Sequence, residues 1–459
     1  MPVNTRTIIR YAVSAACCGL TVFLGYYVQR AAFGTLLLAY GWFFGLYLAI
    51  AWRPKNRTAA AANWYTGLGI LLRVLLLFSL PNLSDDFYRF LWDGHLTVAG
   101  LHPFAHPPVW FMEHPAGVPG ITPELFAKLN SPNYFTVYPS VCQAIFALAV
   151  WVAPHSLWGG VVVMKLFLLA GEIGTLYLLR TANGVLPAEK RQSASLLYAL
   201  NPLLILEIVG NCHFEGLMIF FLLAGWRMLQ QQRLPAAAGL WGLATATKLL
   251  PPLFLPLVWR WLGWRRGWWF NLLFAGACTL LFLPWLDIPL LVNMSKSIGL
   301  YFQNFEFNAS LYYLAQQGYA WWKGFQHVTV VGPSLAVLTL AGVLWLMKRV
   351  SPKGEARSGQ WTLPEAMLWA VFLYLSCATT VHAWYVTVPL ALGLLTTWRF
   401  PIVWSGLIIL SYSHYAAGRS EENFWLIGLE YGVLWAFMLG EIRSRPQTGN
   451  AANPNRGIR

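Results

Sequence analysis

Residues 63–80 read NWYTGLGILLRVLLLFSL and run directly into PNLSDDFYRFLWDG at 81–94. The first stretch is apolar over the length that crosses a bilayer at about 1.5 Å per residue. The second places three of the chain's four aspartates, Asp85, Asp86 and Asp93, within nine residues. Two adjacent carboxylates at the end of an apolar span mark a membrane edge, because ionised groups there are costly unless hydrated, paired or used. The rest of the 459 residues agree with this reading: 58% are apolar, 16% aromatic and only 10% charged, with a mean hydropathy of +0.53. Water-soluble chains carry about a quarter charged residues, which excludes a soluble enzyme. The composition implies an all-α polytopic membrane protein.

Apolar runs recur near 8–28, 31–51, 63–80, 160–179, 194–209, 213–229, 236–247, 250–262, 267–286, 328–347, 362–380, 384–398, 401–417 and 423–440. The first is too long for the core of a signal peptide and reads as a retained helix. Basic residues cluster between runs: Arg6 and Arg10; Arg53, Lys55 and Arg57; Arg180 with Lys190 and Arg191; Arg227 with Arg233; Arg260 with Arg265 and Arg266; Lys348, Arg349, Lys353 and Arg357; Arg399; Arg443 with Arg445. Placing all of them in the cytoplasm obeys the positive-inside rule. The net charge of +14 is thus topology and does not point to nucleic acid. That choice predicts one domain of about fourteen spans with both termini inside. It leaves two long loops, 81–159 and 287–327, on the extracytoplasmic side. Residues 138–153 look like a span, but counting them as one would reverse the later basic loops, so they are expected to lie along or dip into the outer leaflet. Asn201-Pro202 reads as the cytoplasmic start of a span. The six cysteines show no paired spacing, so neither a disulfide framework nor a zinc site is indicated.

The polar chemistry collects on the outer side, where all nine histidines, His327 among them, are placed. In SDDFYRFLWDG the bland reading has Ser84 or Asp85 capping a short helix that Gly94 ends, with Trp92 and Asp93 beside it. That accounts for one acid better than two, and the aspartate pair is the first candidate for chemistry. In NPLLILEIVGNCHFEGL, 201–217, Asn211, His213 and Glu215 sit at an outer turn, where a plain Gly-Asn turn and a helix cap are the alternatives. In ATATKLLPPLFLP, 244–256, Lys248 either snorkels or holds an anion. In QNFEFNASLYYL, 303–314, Glu306 stands between two phenylalanines with Asn304 and Asn308 beyond, a composition that suits a sugar or an interfacial belt. HAWYVTVPLAL, 382–392, opens a helix with His382, Trp384 and Tyr385. Walker loops, HExxH, nucleophile elbows and metal-ligand spacings are all missing from the sequence.

With these motifs in place, the chain resembles the GT-C superfamily of integral membrane glycosyltransferases, and within it the bacterial polyprenyl-phosphate-mannose-dependent mannosyltransferases. The resemblance rests on SDDFYRFLWDG, YPS at 138–140, NPLLILEIVGNCHFEGLM, the TKLLPP segment at 247–252 and HAWYVTVPL, together spanning roughly 84–390. It implies a GT-C-like bundle with juxtamembrane helices in two long extracytoplasmic loops, in the inner membrane. It also implies transfer of a sugar, mannose or a related hexose or pentose, from a polyprenyl-phosphate donor to a glycan or lipid acceptor with inversion. No cofactor or metal is implied, since the lipid phosphate is its own leaving group. Under the resemblance Asp85, with Asp86 the alternate, is the catalytic base. Arg89, Lys248, His213 and His382 hold the donor phosphate, and Asn211, Glu215, Glu306 and Tyr385 contact substrate. Two spans precede the loop-bearing third, where many relatives have one. The rival reading is a transporter or flippase for a lipid or organic anion, whose charges would lie at mid-depth.

Overall fold

The computed structural model describes residues 5–52, 58–115, 117–182, 187–303, 305–325, 328–353, 360–418 and 420–445. Arg53, Lys55, Arg57, Asn304, His327 and Arg357 lie outside the described residues. Among the described residues the chain is helical, with two isolated bridges and no strand. Six helices are long and apolar enough to cross a membrane: Thr5–Tyr26, Phe33–Ala51, Leu157–Arg180, Trp264–Trp285, Thr329–Arg349 and Phe424–Ser444. The bent pair Ala188–Ala199 and Pro202–Gly210 makes a seventh if taken as one span. Other expected spans correspond to shorter helices, such as Ala59–Leu75, Glu215–Gln230 and Leu363–Cys377. At about 1.5 Å per residue these fall short of a hydrocarbon core about 30 Å thick. Large apolar side chains stand out from the bundle, with Trp42, Trp269 and Trp425 all exposed, as a lipid-facing surface requires. All six cysteines are free.

Three local expectations are corrected. Asn201-Pro202 does not open an unbroken helix; it sits at the 49° bend between Ala188–Ala199 and Pro202–Gly210. There the buried Asn201 side chain accepts from the Leu203 and Leu204 amides and donates to Ser405 Oγ at 2.9 Å. Gly94 does not end its helix, which runs Asp86–Val98. A Cβ at Gly94 would lie 2.5 Å from the Phe146 carbonyl, so glycine is there for the close crossing of the Ser140–Val152 helix. Asp85 holds the N-cap position but its side chain caps nothing. The Ser140–Val152 helix has 13 residues, about 20 Å, and lies against the Asp86–Val98 helix with Phe90 and Phe146 stacked at 4.6 Å.

The two long loops fold on each other. Asn293 Nδ2 donates to the Phe104 carbonyl at 3.0 Å, Ser297 Oγ donates to the Phe135 carbonyl at 3.0 Å, and Phe104, Leu290 and Met294 form a small buried cluster. The basic loops are likewise tied together. Lys353 donates through its backbone to Trp261 O at 2.9 Å and through Nζ to Leu229 O at 3.0 Å; Arg266 reaches Gln232, and Arg227 reaches Thr181 O. The start and end of the chain also meet. Tyr40 donates to the Ser405 carbonyl at 2.5 Å, and the Ala417 amide donates to the Ala31 carbonyl at 3.2 Å.

Three charged groups inside the bundle, Arg73, Glu172 and Lys165, are fully engaged. Arg73 pairs with Glu172 at 2.8 Å, both without solvent exposure. It also donates to the carbonyls of Gly69, Ala199 and Tyr198, while the Tyr198 hydroxyl donates to Glu172 at 2.6 Å. Lys165 donates to the carbonyls of Leu76 and Ser79 and to Ser79 Oγ, closing the end of the Ala59–Leu75 helix just before the aspartate loop. Neither Arg73 nor Glu172 carried a sequence signal beyond its charge.

Breaking a buried pair on one side leaves an uncompensated charge, which typically costs about 3–5 kcal/mol. Arg73→Met should therefore destabilise the protein by about that much, and Arg73→Met with Glu172→Met should recover a large part of it. Thermal unfolding of the purified variants in one detergent measures both.

Candidate active site

The site is built where the first long loop leaves the membrane. Lys165 ends the preceding helix, and the chain turns through Pro81–Ser84. Asn82 Nδ2 donates to the Leu24 carbonyl at 2.7 Å and also to the Val28 carbonyl, holding the turn against the first helix. The Leu83 amide donates to Asn211 Oδ1 at 3.2 Å, and the Asp86 amide donates to Ser84 Oγ at 3.3 Å. Asp85 and Asp86 are sequence neighbours at a helix start, so their side chains diverge. Asp85 pairs with Arg30, whose guanidinium lies 4.8 Å from the Tyr415 ring centroid. Asp86 turns the other way: its Oδ1 accepts from Asn130 Nδ2 at 2.7 Å, and its Oδ2 lies 4.0 Å from His213 Nε2.

His213 is aimed by an irregular turn. The backbone over Ile205–Gly210 forms a π-helix, a form often found at functional sites. Cys212 then takes a φ of 63°, left-handed for a non-glycine residue, which costs about 1–2 kcal/mol. The turn is locked by the Asn211 amide on Leu206 O at 2.7 Å and by the His213 amide shared between the Glu207 and Ile208 carbonyls. Asn211 spans the junction, accepting from the aspartate loop and donating to Glu207 Oε2 at 3.4 Å. Glu207 is buried and also accepts from the Tyr412 hydroxyl at 2.7 Å.

The remaining cluster members come from two further segments. Lys248 follows the Leu234–Thr247 helix in extended conformation, ahead of the Pro251-Pro252 break. Its ammonium meets Glu215 at 2.8 Å and lies 5.5 Å from the Tyr138 ring centroid. His382 precedes the Ala383–Val386 turn, and Trp384 is sandwiched between two imidazoles, His213 at 3.8 Å and His382 at 4.3 Å. Burial pushes the His382 imidazole down to about 3, against the pull of Asp86; His213 and Lys248 push the same way as burial. His382 is therefore neutral at ordinary pH, able to stack or to share one N–H but not to bring a positive charge.

The structure thus gathers Asp86, His213, Glu215, Lys248 and His382, with Asp85 alongside. Tyr385 stands edge-on to His382 at 5.5 Å, and Asn211 holds the frame from behind. Arg89 is elsewhere: it is buried on Asp93 at 2.8 Å and on the carbonyls of Ser131 and Tyr134, so it folds the loop. Glu306 accepts from Tyr312 at 2.6 Å, outside the cluster, although its neighbour Phe307 lies 4.6 Å from His382. Among the described residues no group of three His, Cys, Asp or Glu side chains is arranged to hold a metal. Two members escaped the sequence reading. Arg30 is a lone cation at the end opposite the basic loops, and that exception to the charge rule was its signal. Glu207 was masked by the apolar ILEIVG around it.

A family described as alpha-(1→6)-mannopyranosyltransferase, N-terminal domain, matches residues 12–263, more than half of the chain. The chain belongs to that family. The membership agrees with the resemblance to GT-C membrane mannosyltransferases. The matched span contains Arg30, both aspartates, Glu207, His213 and Lys248, while His382 lies beyond it. Two relatives are similar over shorter stretches. Alpha-(1→6)-mannopyranosyltransferase B of Corynebacterium glutamicum is 26% identical over 196 residues, covering 41% of this chain and 31% of the relative. Alpha-(1→6)-mannopyranosyltransferase A of Mycobacterium tuberculosis is 28% identical over 235 residues, covering 49% of this chain and 43% of the relative. The matched part of the chain thus spans less than half the length of either relative.

The Asn211 bridge makes a measurable claim. Asn211→Ala strips a buried amide of its acceptor and should cost about 1–3 kcal/mol. Asn130→Ala, at an exposed loop position, should stay within about 0.5 kcal/mol. Thermal unfolding of the two variants side by side checks the contrast.

Proposed function

We propose that this protein is a membrane glycosyltransferase that moves mannose or a related sugar from a polyprenyl-phosphate donor to an extracytoplasmic glycan or lipid acceptor, with inversion. The observation that carries the reading is the convergence of Asp86, His213, Lys248 and His382 from four separate segments of a chain in this family. Transfer needs a carboxylate to take the proton of the acceptor hydroxyl as its oxygen attacks the anomeric carbon. The anomeric bond to phosphate breaks, and its electron pair leaves on the lipid phosphate, which a cation must steady. Asp86 suits the first task, because it faces the cluster while Asp85 is tied to Arg30. Lys248 and Arg30 suit the second; both are partly exposed and both are held beside an acid rather than sealed off.

The same reading places the aspartate loop outside the inner membrane and the basic loops in the cytoplasm, with fourteen spans. The packing of the two long loops on each other, and of the basic loops among themselves, supports this arrangement. The acidic residues of the site gather at one end of the bundle, which favours surface chemistry over a mid-depth relay of the transporter kind.

With polyprenyl-phosphomannose as donor, Asp86→Asn should lower transfer by about 10²–10⁴-fold with donor binding largely kept. Asp85→Asn should lose less activity, chiefly through release of Arg30. Radiolabelled sugar transfer in proteoliposomes measures both, and normal transfer by both variants would return the aspartate loop to a structural role and advance the transporter. Cysteine labelling at Lys128, an exposed position of the aspartate-bearing loop, and at Ser444 should report opposite sides of the membrane.

A further inference from the structure

The tautomer of His213 is fixed by its surroundings. Its Nδ1 faces two acceptors, the Glu207 carbonyl at 3.1 Å and Glu207 Oε2 at 3.2 Å, so Nδ1 carries a hydrogen. In the neutral ring Nε2 is then a bare lone pair. That atom is buried with no hydrogen-bond partner, and the nearest charged oxygen is Asp86 Oδ2 at 4.0 Å. A lone pair facing a carboxylate across so short a gap is an empty place for one proton. On the far side Glu207 is fixed by Tyr412 and Asn211, neither of which can take a proton from it. The order is carboxylate, imidazole, carboxylate, with a stacked Trp384 holding the ring plane.

We propose that His213 is the proton store of the site and Glu207 its positioning residue. This rests on the reading of Asp86 as base. Asp86 accepts the proton of the acceptor hydroxyl and passes it from Oδ2 to His213 Nε2. Asp86 is again a carboxylate, and the new imidazolium lies between two negative charges. Glu207 keeps Nδ1–H in place and balances the charge without itself gaining a proton. After product release the proton returns through Asp86 to water or to the departing phosphate. The gap of 4.0 Å closes by a small side-chain movement, as apo geometry often requires. The other titratable groups near the ring are the neutral His382, Lys248 held by Glu215, and, beyond His382, His414 beside Glu422. All of these stay in place when Glu207 is changed.

The test has two arms on the full-length protein in nanodiscs. In the first, ¹⁵N-histidine NMR, assigned with His213→Asn, should show the Nδ1–H tautomer for neutral His213. Its Nδ1–H proton should lose the downfield position of a carboxylate-bonded hydrogen in Glu207→Gln, because a charged acceptor makes the stronger bond. Glu207→Asp should move the signal less, which keeps the test valid should Glu207→Gln fold poorly. In the second arm, the pH profile of transfer from polyprenyl-phosphomannose should rise along one acid limb. Glu207→Gln should lower the plateau about tenfold or more and move that limb to lower pH, while Glu207→Asp should restore part of both. An Nε2–H tautomer, or an Nδ1–H signal unmoved in Glu207→Gln and Glu207→Asp, overturns the proposal, as does a lower plateau with an unmoved limb. Should the wild-type protein transfer no sugar, the glycosyltransferase reading falls separately, and the NMR arm still decides whether His213 and Glu207 act together.

Discussion

The site depends on one side-chain amide. Asn211 accepts from the Leu83 backbone on one side and donates to Glu207 on the other, inside the protein where an unmade hydrogen bond is expensive. Through that bridge the loop carrying the aspartates is held in register with the turn carrying His213. Aromatic packing of Phe90 on Phe214 also joins the two elements, but the Asn211 bridge is the hydrogen bond that sets one against the other beside Asp86 and His213. The π-helix and the left-handed Cys212 have the same origin: the chain must turn sharply enough for Asn211 and His213, two residues apart, to face different partners.

Much of this was legible in the sequence because charge is scarce in an apolar chain. The aspartate loop, the GNCHFEG turn, the lone Lys248 and the HAWY start stood out for that reason, and the structure brings residues from all four together. Arg89 was misread for a physical reason. In sequence it is another cation beside the aspartates, but four residues on stands Asp93, and an i,i+4 pair on one helix face satisfies both. Gly94 was read as a stop because glycine ends helices; here the crossing of a second helix demanded a residue without a side chain. Glu207 could not be read at all, since nothing local tells a buried acid with three donors from a charge at a helix end.

The buried ionic groups fall into two kinds. Arg73, Glu172 and Lys165 are closed, with donors and acceptors matched within the bundle, and they fix helix ends and crossings. Around the aspartates the matching is incomplete: His213 Nε2 and Glu215 Oε2 are buried without partners. Satisfied networks rigidify a fold, whereas unsatisfied groups in a native interior call for a use. The contrast separates scaffold from site without reference to any motif.

The meeting of the chain's two ends bears on how the protein assembles. Arg30 and Asp85 are made early, yet the Tyr415 ring beside Arg30, the Ser405 carbonyl that receives Tyr40 and the Ala417 amide that binds Ala31 all emerge nearly four hundred residues later. During synthesis the face of the Phe33–Ala51 helix that packs on residues 405–418 therefore stays uncovered until they emerge. The candidate site closes only when the last helices pack against it. Contacts of such long sequence separation are slow to form. The nascent chain would thus be vulnerable to helper proteins and proteases for most of its translation, and a fault near residue 410 would be felt at residue 30.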